Sequence, residues 1–140
     1  MISLSERYSS PMEDPKFEPG EIIFHKKYGY RGVIVSFDLL CKAPDSWYQS
    51  NQTQPDRNQP WYHILVDGNH QVTYVAQSNL VYDQLKKPVV HSMLNLFFFG
   101  HDESENKYLR NTVPFDPGNP PDSPPNSSPP DFTPPPPPNQ

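Results

Sequence analysis

One short run of the sequence combines positive charge, aromatic rings and a glycine. It consists of His25, Lys26, Lys27, Tyr28, Gly29, Tyr30 and Arg31. In such a run, basic side chains can contact phosphate oxygens, the glycine lets the main chain come close, and a tyrosine can pack on a sugar or a base. The run therefore predicts a phosphate-contacting loop. The candidate DNA-binding residues are His25, Lys26, Lys27, Tyr28, Tyr30 and Arg31.

A structural interpretation of the same run stays open. The two tyrosines can pack the end of the domain while the two lysines are simply solvated, because three basic side chains make a weak electrostatic footprint.

A second group of aromatic side chains follows further along, at Trp61, Tyr62 and His63. Aromatic residues are frequent both in cores and at binding surfaces. Tyr62 is predicted to be structural, because it shares one face of an extended chain with Ile64 and Val66. Trp61 and His63 are candidates for surface recognition. An imidazole beside a tryptophan is equally compatible with a buried hydrogen bond.

The most apolar stretch runs from Met93 to Phe99 and ends in three consecutive phenylalanines. Three consecutive side chains cannot all face one side of a short helix. Phe97, Phe98 and Phe99 therefore either close an open end of the fold or form a patch for self-association or for a partner protein. The sequence leaves both interpretations open.

Catalytic and metal-binding patterns are weak in this sequence. The histidines at positions 25, 63, 70, 91 and 101 are scattered, and Cys41 stands alone. Metal sites need ligands at close, patterned spacing, so we expect no metal. No tight nucleophile turn surrounds Cys41, and no glycine-rich phosphate loop is present. The sequence therefore predicts a protein that is not an enzyme, has no catalytic residues and uses no cofactor.

Charge is distributed unevenly along the chain. The formal net charge is −5, but residues 16–110 carry ten basic and ten acidic side chains. A neutral domain lacks the positive field that steers strong DNA binders, so nucleic-acid affinity is expected to be modest. The single cysteine fits a reducing compartment, and the longest apolar run, 96–99, is too short to span a bilayer. We expect a cytoplasmic location and no membrane contact.

Short β-branched runs bounded by turn residues predict the secondary structure. Strands are expected at 21–25, 31–37, 61–66, 72–76 and 81–82, with a turn at Asp67-Gly68. Alternation places Val33, Val35 and Phe37 on one face of the second strand. Five short strands indicate an all-β fold, a small SH3-like five-stranded barrel with one short C-terminal helix and disordered termini.

Two segments between or after these strands carry further expectations. Residues 40–60 are polar and predict a long loop, which Trp47 and Tyr48 anchor to the body. Ser92 is expected to cap one short helix over 93–99, which ends at Gly100. Residues 108–109 are expected to return to the barrel.

Composition divides the chain into three parts. Residues 1–15 are predicted to be a flexible N-terminus, 16–110 the folded domain, and 111–140 a disordered proline-rich tail. Thirteen of the last thirty residues are proline, and such a segment cannot bury enough apolar surface to order itself. The run 134–138 is either a polyproline II ligand for a partner domain or part of a solubilising end.

Two long tracts carry a resemblance to a known family. They are YGYRGVI at 28–34 and QPWYHILVDG at 59–68, and the other matching positions are Phe17, Gly20, His25, Tyr74 to Gln77, Asn79, Leu80, Pro88 and His91. In this order they resemble the YccV-like, or hemimethylated-DNA-binding, domain family, which includes a bacterial heat-shock protein. The resemblance covers Phe17 to about Arg110, essentially the whole predicted domain.

The resemblance implies a small β-barrel that binds hemimethylated DNA. It also implies a second role, because family members serve as adaptors to ATP-dependent proteases or as modules in F-box proteins, and none of these roles is catalytic. Two hypotheses follow. The first is a module that binds hemimethylated duplex DNA through residues 26–31. The second is an adaptor that delivers substrates to an ATP-dependent protease, or modulates it, through the aromatic surface and Phe97 to Phe99.

Overall fold

The computed structural model describes residues 13–50 and 54–116. In chain order they contain β1 (Ile22–His25), β2 (Arg31–Asp38), α1 (Asp45–Ser50), β3 (Trp61–Val66), β4 (Val72–Ala76), a 3-10 turn (Gln77–Asn79), β5 (Leu80–Tyr82), α2 (Leu94–Phe97), β6 (Phe98–Asp102) and β7 (Lys107–Arg110). The predictions made for residues 1–12 and 117–140, including the polyproline run at 134–138, lie outside the described residues.

Five strands form one antiparallel sheet in the order β4-β3-β2-β1-β5, and β6 with β7 forms a separate hairpin. The prediction of a mostly β fold with few helices is confirmed. The closed five-stranded SH3-like barrel is not confirmed. In the described part of the chain β4 and β5 are the two edges of the sheet, and no pairing between them closes it.

Apolar side chains cover both faces of this sheet. One cluster contains, among others, Ile23, Ile34, Tyr62, Ile64 and Val66. The cluster on the other face contains, among others, Val33, Val35, Leu65, Phe97 and Phe98. All six residues of β3 are buried as a result.

A β-bulge in β2 alters the predicted alternation of that strand. The register against β3 shifts between Ile34 and Ser36, which leaves Val35 as the extra residue. Phe37 therefore packs against the cluster of Ile34 rather than that of Val33 and Val35. The predicted placement of Phe37 is wrong, because one inserted residue inverts the face of every residue after it.

The long connection between β2 and β3 is anchored by aromatic rings. The ring of Trp47 lies 6.2 Å from that of Trp61 and 5.7 Å from that of Tyr74, and Tyr48 lies 6.3 Å from Trp61. The predicted anchor is confirmed. The short helix α1 that carries both residues was not predicted, since the segment has no helical apolar period.

The predicted helix over 93–99 is too long. Residues Leu94–Phe97 are helical, whereas Phe98 begins β6 and pairs with Arg110 of β7. Ser92 does not cap the helix. The Nδ1 atom of His91 accepts the main-chain N–H of Met93 instead, at 3.0 Å. Gly100 lies inside β6, and the expected return of residues 108–109 is the strand β7.

Gly20 holds the hairpin of β6 and β7 against the start of β1, which leads to a stability prediction. Its φ is +101°, its carbonyl accepts the N–H of Tyr108 at 2.8 Å, and a Cβ would lie 2.1 Å from the carbonyl oxygen of Tyr108. We expect Gly20→Ala to lower the free energy of unfolding by about 2 kcal/mol or more, as measured by urea denaturation.

Gly29→Ala is the matched control. Gly29 also has a positive φ of +75°, but nothing lies within 4 Å of the site of its Cβ. It should lose only the conformational part, about 1 kcal/mol. Equal losses in the two variants would contradict the collision with Tyr108.

His91 makes the stability of the domain dependent on pH. It is buried, its Nε2 lies 2.9 Å from the carbonyl oxygen of Gln71, and its Nδ1 accepts the N–H of Met93. The bond that Nδ1 accepts requires the neutral ring. Burial lowers the pKa of His91 below its ordinary value of 6.5 and outweighs the bond to Gln71, which acts to raise it. In the unfolded chain the ring takes up a proton near that value, so more protons bind to the unfolded state and stability falls as the pH falls below it.

We therefore expect the urea midpoint to decrease between about pH 7.5 and about pH 5.5. His91→Asn removes the titrating group, so this variant should be less stable at neutral pH but should vary less with pH. An unchanged pH dependence in the variant would show that other groups cause it.

Candidate nucleic-acid interface

The β1–β2 turn, residues 26–30, is built around the imidazole of His25. The Nδ1 atom accepts the main-chain N–H groups of Lys27 and Tyr28, each at 3.1 Å. The main chain of His25 also accepts the N–H of Gly29 and donates to the carbonyl of Tyr30, both at 2.8 Å. These bonds fix the shape of the turn from within.

His25 and Tyr30, both predicted as DNA-binding residues, lie below the surface. His25 is fully buried, and its ring lies 4.7 Å from that of Tyr28 and 5.1 Å from that of Tyr30. The hydroxyl of Tyr30 is 2.8 Å from the hydroxyl oxygen of Thr73 in β4. The two side chains therefore position the turn. Tyr28 is half-buried and reaches the surface only in part.

Lys26 and Lys27 are exposed at this turn. Among the described residues, neither ammonium group has an ion-pair partner. The main-chain N–H of Lys26 donates to the carbonyl of Asn79 at 2.8 Å, which ties the turn to the 3-10 turn and its exposed residue Ser78. Sequence reasoning missed this neighbour, because the contact follows from the pairing of β1 with β5.

Arg31 is committed to an ion-pair network. Its Nε donates to Asp83 at 3.1 Å, its Nη1 donates to Asp67 at 2.9 Å, and its Nη2 donates to the carbonyl of Lys87. Burial acts to raise the pKa of Asp83, but bonds from Arg31 and from the N–H of Lys86 outweigh it and hold the pKa below its ordinary value. All three guanidinium nitrogens have partners within the fold, and the phosphate contact of Arg31 remains a prediction.

Trp61 and His63 are also covered, although they were predicted as surface residues. Trp61 has no exposed area, and His63 is 7% exposed. The ring of His63 stacks on Tyr74 at 4.4 Å, and its Nε2 lies 3.7 Å from Asp38. The surface placement is corrected, because the rings of α1 pack on Trp61 and those of Tyr74 and Phe115 pack on His63. Their part in recognition was an interpretation from residue type alone.

A polar pair lies beneath that cover. The hydroxyl of Tyr74 donates to Asp38 at 2.7 Å. Burial is the larger cause of the raised pKa of Tyr74, and this bond is a smaller one. Burial acts to raise the pKa of Asp38 as well, but His63 and Tyr74 together lower it. Asp38 is therefore an ionised acceptor in a structural cluster.

The three phenylalanines divide between core and surface. Phe97 is fully buried and Phe98 is 4% exposed, whereas Phe99 is 72% exposed. Phe99 is the extra residue where the register of β6 against β7 shifts between Phe98 and Gly100. The predicted partner patch is therefore reduced to Phe99. Phe115, which follows β7, packs 5.5 Å from the ring of Phe97 and 5.2 Å from that of His63.

Residues 13–50 and 54–116 show neither a metal site nor an activated cysteine. This part of the chain contains no group of three or more His, Cys, Asp or Glu side chains that would hold a metal ion. Burial raises the pKa of the Cys41 thiol, which disfavours the nucleophilic thiolate. None of the described helices has the length and apolar character needed to cross a membrane.

Fold and site together define a small antiparallel β domain with two exposed lysines on a rigid turn. Comparison with known proteins gives the family. The family described as "Hemimethylated DNA-binding protein YccV like" matches residues 15–105, and the chain belongs to it. The predicted domain limits at residues 16 and 110 remain predictions beside this range.

Similar proteins place the domain in longer chains. The chain is 27% identical over 100 residues to F-box only protein 21 of Homo sapiens and of Pongo abelii, and 26% identical to that of Mus musculus. Each match covers 69% of this chain and 16% of the relative. The chain thus spans less than a fifth of the length of these relatives.

Proposed function

We propose that this domain is a non-enzymatic module that binds hemimethylated duplex DNA. Its membership of the YccV-like family supports a DNA-binding module. The observation that carries the proposal in the structure is the β1–β2 turn, where Lys26 and Lys27 are exposed and the main chain is fixed by His25. The main chain of this turn is already ordered, so presenting the two cations requires ordering only of the lysine side chains on binding.

The number of available cations sets the expected affinity. Arg31 is engaged in the fold, so two lysines remain at the turn and two phosphates are the expected contacts. Two contacts predict a slope of about −1.8 for log affinity against log salt, or roughly a tenfold loss between 50 and 200 mM. This is a modest affinity, in agreement with the neutral charge of the domain.

Fluorescence polarization with matched duplexes tests the proposal. Hemimethylated, fully methylated and unmethylated versions of one sequence are titrated with the full chain over a salt series. We expect the hemimethylated duplex to bind most tightly, with the slope given above. Equal affinities would contradict the methylation preference. Binding that is independent of salt, or no binding at all, would contradict the role of Lys26 and Lys27 in the β1–β2 turn, which we call the lysine turn.

A protein-binding adaptor is the second candidate function. Phe99 favours it, because its side chain is 72% exposed and phenylalanine is enriched at protein interfaces relative to other surfaces. The partner in this proposal is an ATP-dependent protease or one of its substrates, and a second copy of the chain is another occupant of the patch. Recovery of a protease subunit that is lost in Phe99→Asp would support the adaptor, while unchanged recovery would contradict a role of Phe99.

A further inference from the structure

A groove of about 500 Å³ lies at the opposite end of β1 from the lysine turn. Its lining includes Glu21, which precedes β1, and residues on and after β5. The turn between β6 and β7 forms the other wall. Six residues that line it and bear on the argument are Glu21, Tyr82, Lys86, Glu103, Glu105 and Lys107.

Strand β5, which forms one wall of this groove, is an edge of the sheet. It pairs with β1 only, and main-chain bonds on that side run from the N–H of Asp83 to Ile22 and from the N–H of Lys26 to Asn79. Alternate residues of an antiparallel strand face the same neighbour. The main-chain groups of Tyr82 therefore face the open side, where an extended chain can add as a further strand.

Exposed apolar side chains lie along this edge. Val81 is 40% exposed, Tyr82 is 49% exposed, and Leu85 just beyond the strand is 61% exposed. Tyr82 is held in place by its hydroxyl, which donates to the carbonyl of Lys16 at 2.9 Å, and by an edge contact with the ring of Phe17 at 4.9 Å. The edge thus offers exposed apolar contacts to the side chains of an added strand.

The negative charge of the groove favours a positively charged ligand. Four carboxylates line it, those of Glu21, Asp83, Glu103 and Glu105. Asp83 is paired with Arg31, so the other three carry the unbalanced negative charge. Of the lysines in its lining, Lys107 is paired with Glu18 at 3.2 Å, which leaves Lys86 as the remaining cation. Burial raises the pKa of Glu21, and the negative charges of Glu18 and Glu105 add to that rise. A positively charged side chain would relieve this repulsion, and a phosphate would increase it.

We propose that the groove and the β5 edge form a docking surface for an extended segment of another protein, in which basic and apolar side chains alternate. The segment adds to β5 as a strand, its apolar side chains contact Val81 and Leu85, and a lysine or arginine enters the groove beside Glu21 and Glu105. This surface is separate from the lysine turn and from Phe99. It does not depend on DNA binding.

Two labelled peptides of about nine residues, an ordinary strand length, test the proposal with the full chain. One alternates valine with arginine, and the other alternates valine with glutamate. We expect the arginine peptide to bind at least about tenfold more tightly in a polarization assay. Equal binding of the two would overturn the proposal, because it would indicate apolar adhesion without recognition of charge.

Variants locate the binding site. Glu21→Gln with Glu105→Gln should weaken the arginine peptide about fivefold or more, because it removes two charges. The amide oxygen of the first replacement can still accept the main-chain N–H of Glu18, as the carboxylate of Glu21 does, so the local fold should be kept. Asp45→Asn with Asp56→Asn makes the same change of charge in the β2–β3 connection and should have little effect. Equal losses in the two double variants would overturn the proposal.

The strand edge and the independence from DNA are tested in the same assay. Val81→Lys places a positive charge on the exposed edge and should weaken the arginine peptide, whereas Lys26→Glu with Lys27→Glu should not weaken it. An unaffected Val81→Lys variant would overturn the strand addition. Displacement of the peptide by a short duplex would overturn the separation of the two surfaces and assign the groove to DNA.

Discussion

Replacing Arg31 with alanine should lower the free energy of unfolding by about 3 kcal/mol or more. The guanidinium is 12% exposed and bonds two carboxylates and one carbonyl. One of these carboxylates, Asp83, has a side chain that is only 2% exposed. Removal of Arg31 leaves this buried charge without its partner, and such a loss is more costly than the net contribution of the pair.

Urea denaturation of three variants separates charge from geometry. Arg31→Lys keeps the positive charge but cannot bond Asp67, Asp83 and the Lys87 carbonyl together, so we expect an intermediate loss. Arg31→Ala combined with Asp83→Asn should recover part of the stability, because the buried charge is then absent. A loss below about 1 kcal/mol in Arg31→Ala would contradict the network, since an exposed ion pair contributes no more than that.

The strands could be predicted because their signals are local. The bounds of β3 and β4 match the predicted runs, since β-branched and aromatic residues end abruptly at turn residues in both cases. Tyr62 was assigned to the core from its shared face with Ile64 and Val66, and it is fully buried there. Period-two alternation carries this information without any knowledge of the fold.

The candidate site was less predictable because its chemistry depends on distant partners. Arg31 looks like part of a basic run, yet its role is decided by Asp67 and Asp83, which lie 36 and 52 residues further along the chain. No local pattern reports such a pairing. His25 differs, because its ring accepts N–H groups two and three residues later. Both bonds are local, but they form only when the main chain adopts this turn, so the residue type alone does not predict them.

The apolar run before β6 shows a further limit of local signals. Residues 93–99 were predicted to form one helix, but strand β6 begins at Phe98. In this strand Phe98 is buried, whereas Phe99 is exposed. The deciding interaction is the pairing of β6 with β7, which short apolar runs do not distinguish from helix packing. The exposure of Phe99 therefore could not be predicted from the sequence alone.

Reversing the charges of Lys26 and Lys27 should abolish most DNA binding. The double variant Lys26→Glu with Lys27→Glu replaces both expected phosphate contacts with repulsive carboxylates. We expect affinity for the hemimethylated duplex to fall at least about a hundredfold at low salt, and the salt slope to approach zero. The side chains are exposed, so the urea midpoint should change little.

Lys86→Glu with Lys87→Glu is the matched control for that measurement. These lysines are also adjacent and exposed, and the double variant changes the net charge by the same amount. If the turn is the contact, the control should lose only the weak, long-range part of the attraction, a few-fold at low salt. If both double variants lose binding equally, affinity follows the overall charge of the domain. The rigid turn around His25 would then be a structural feature with no particular relation to DNA.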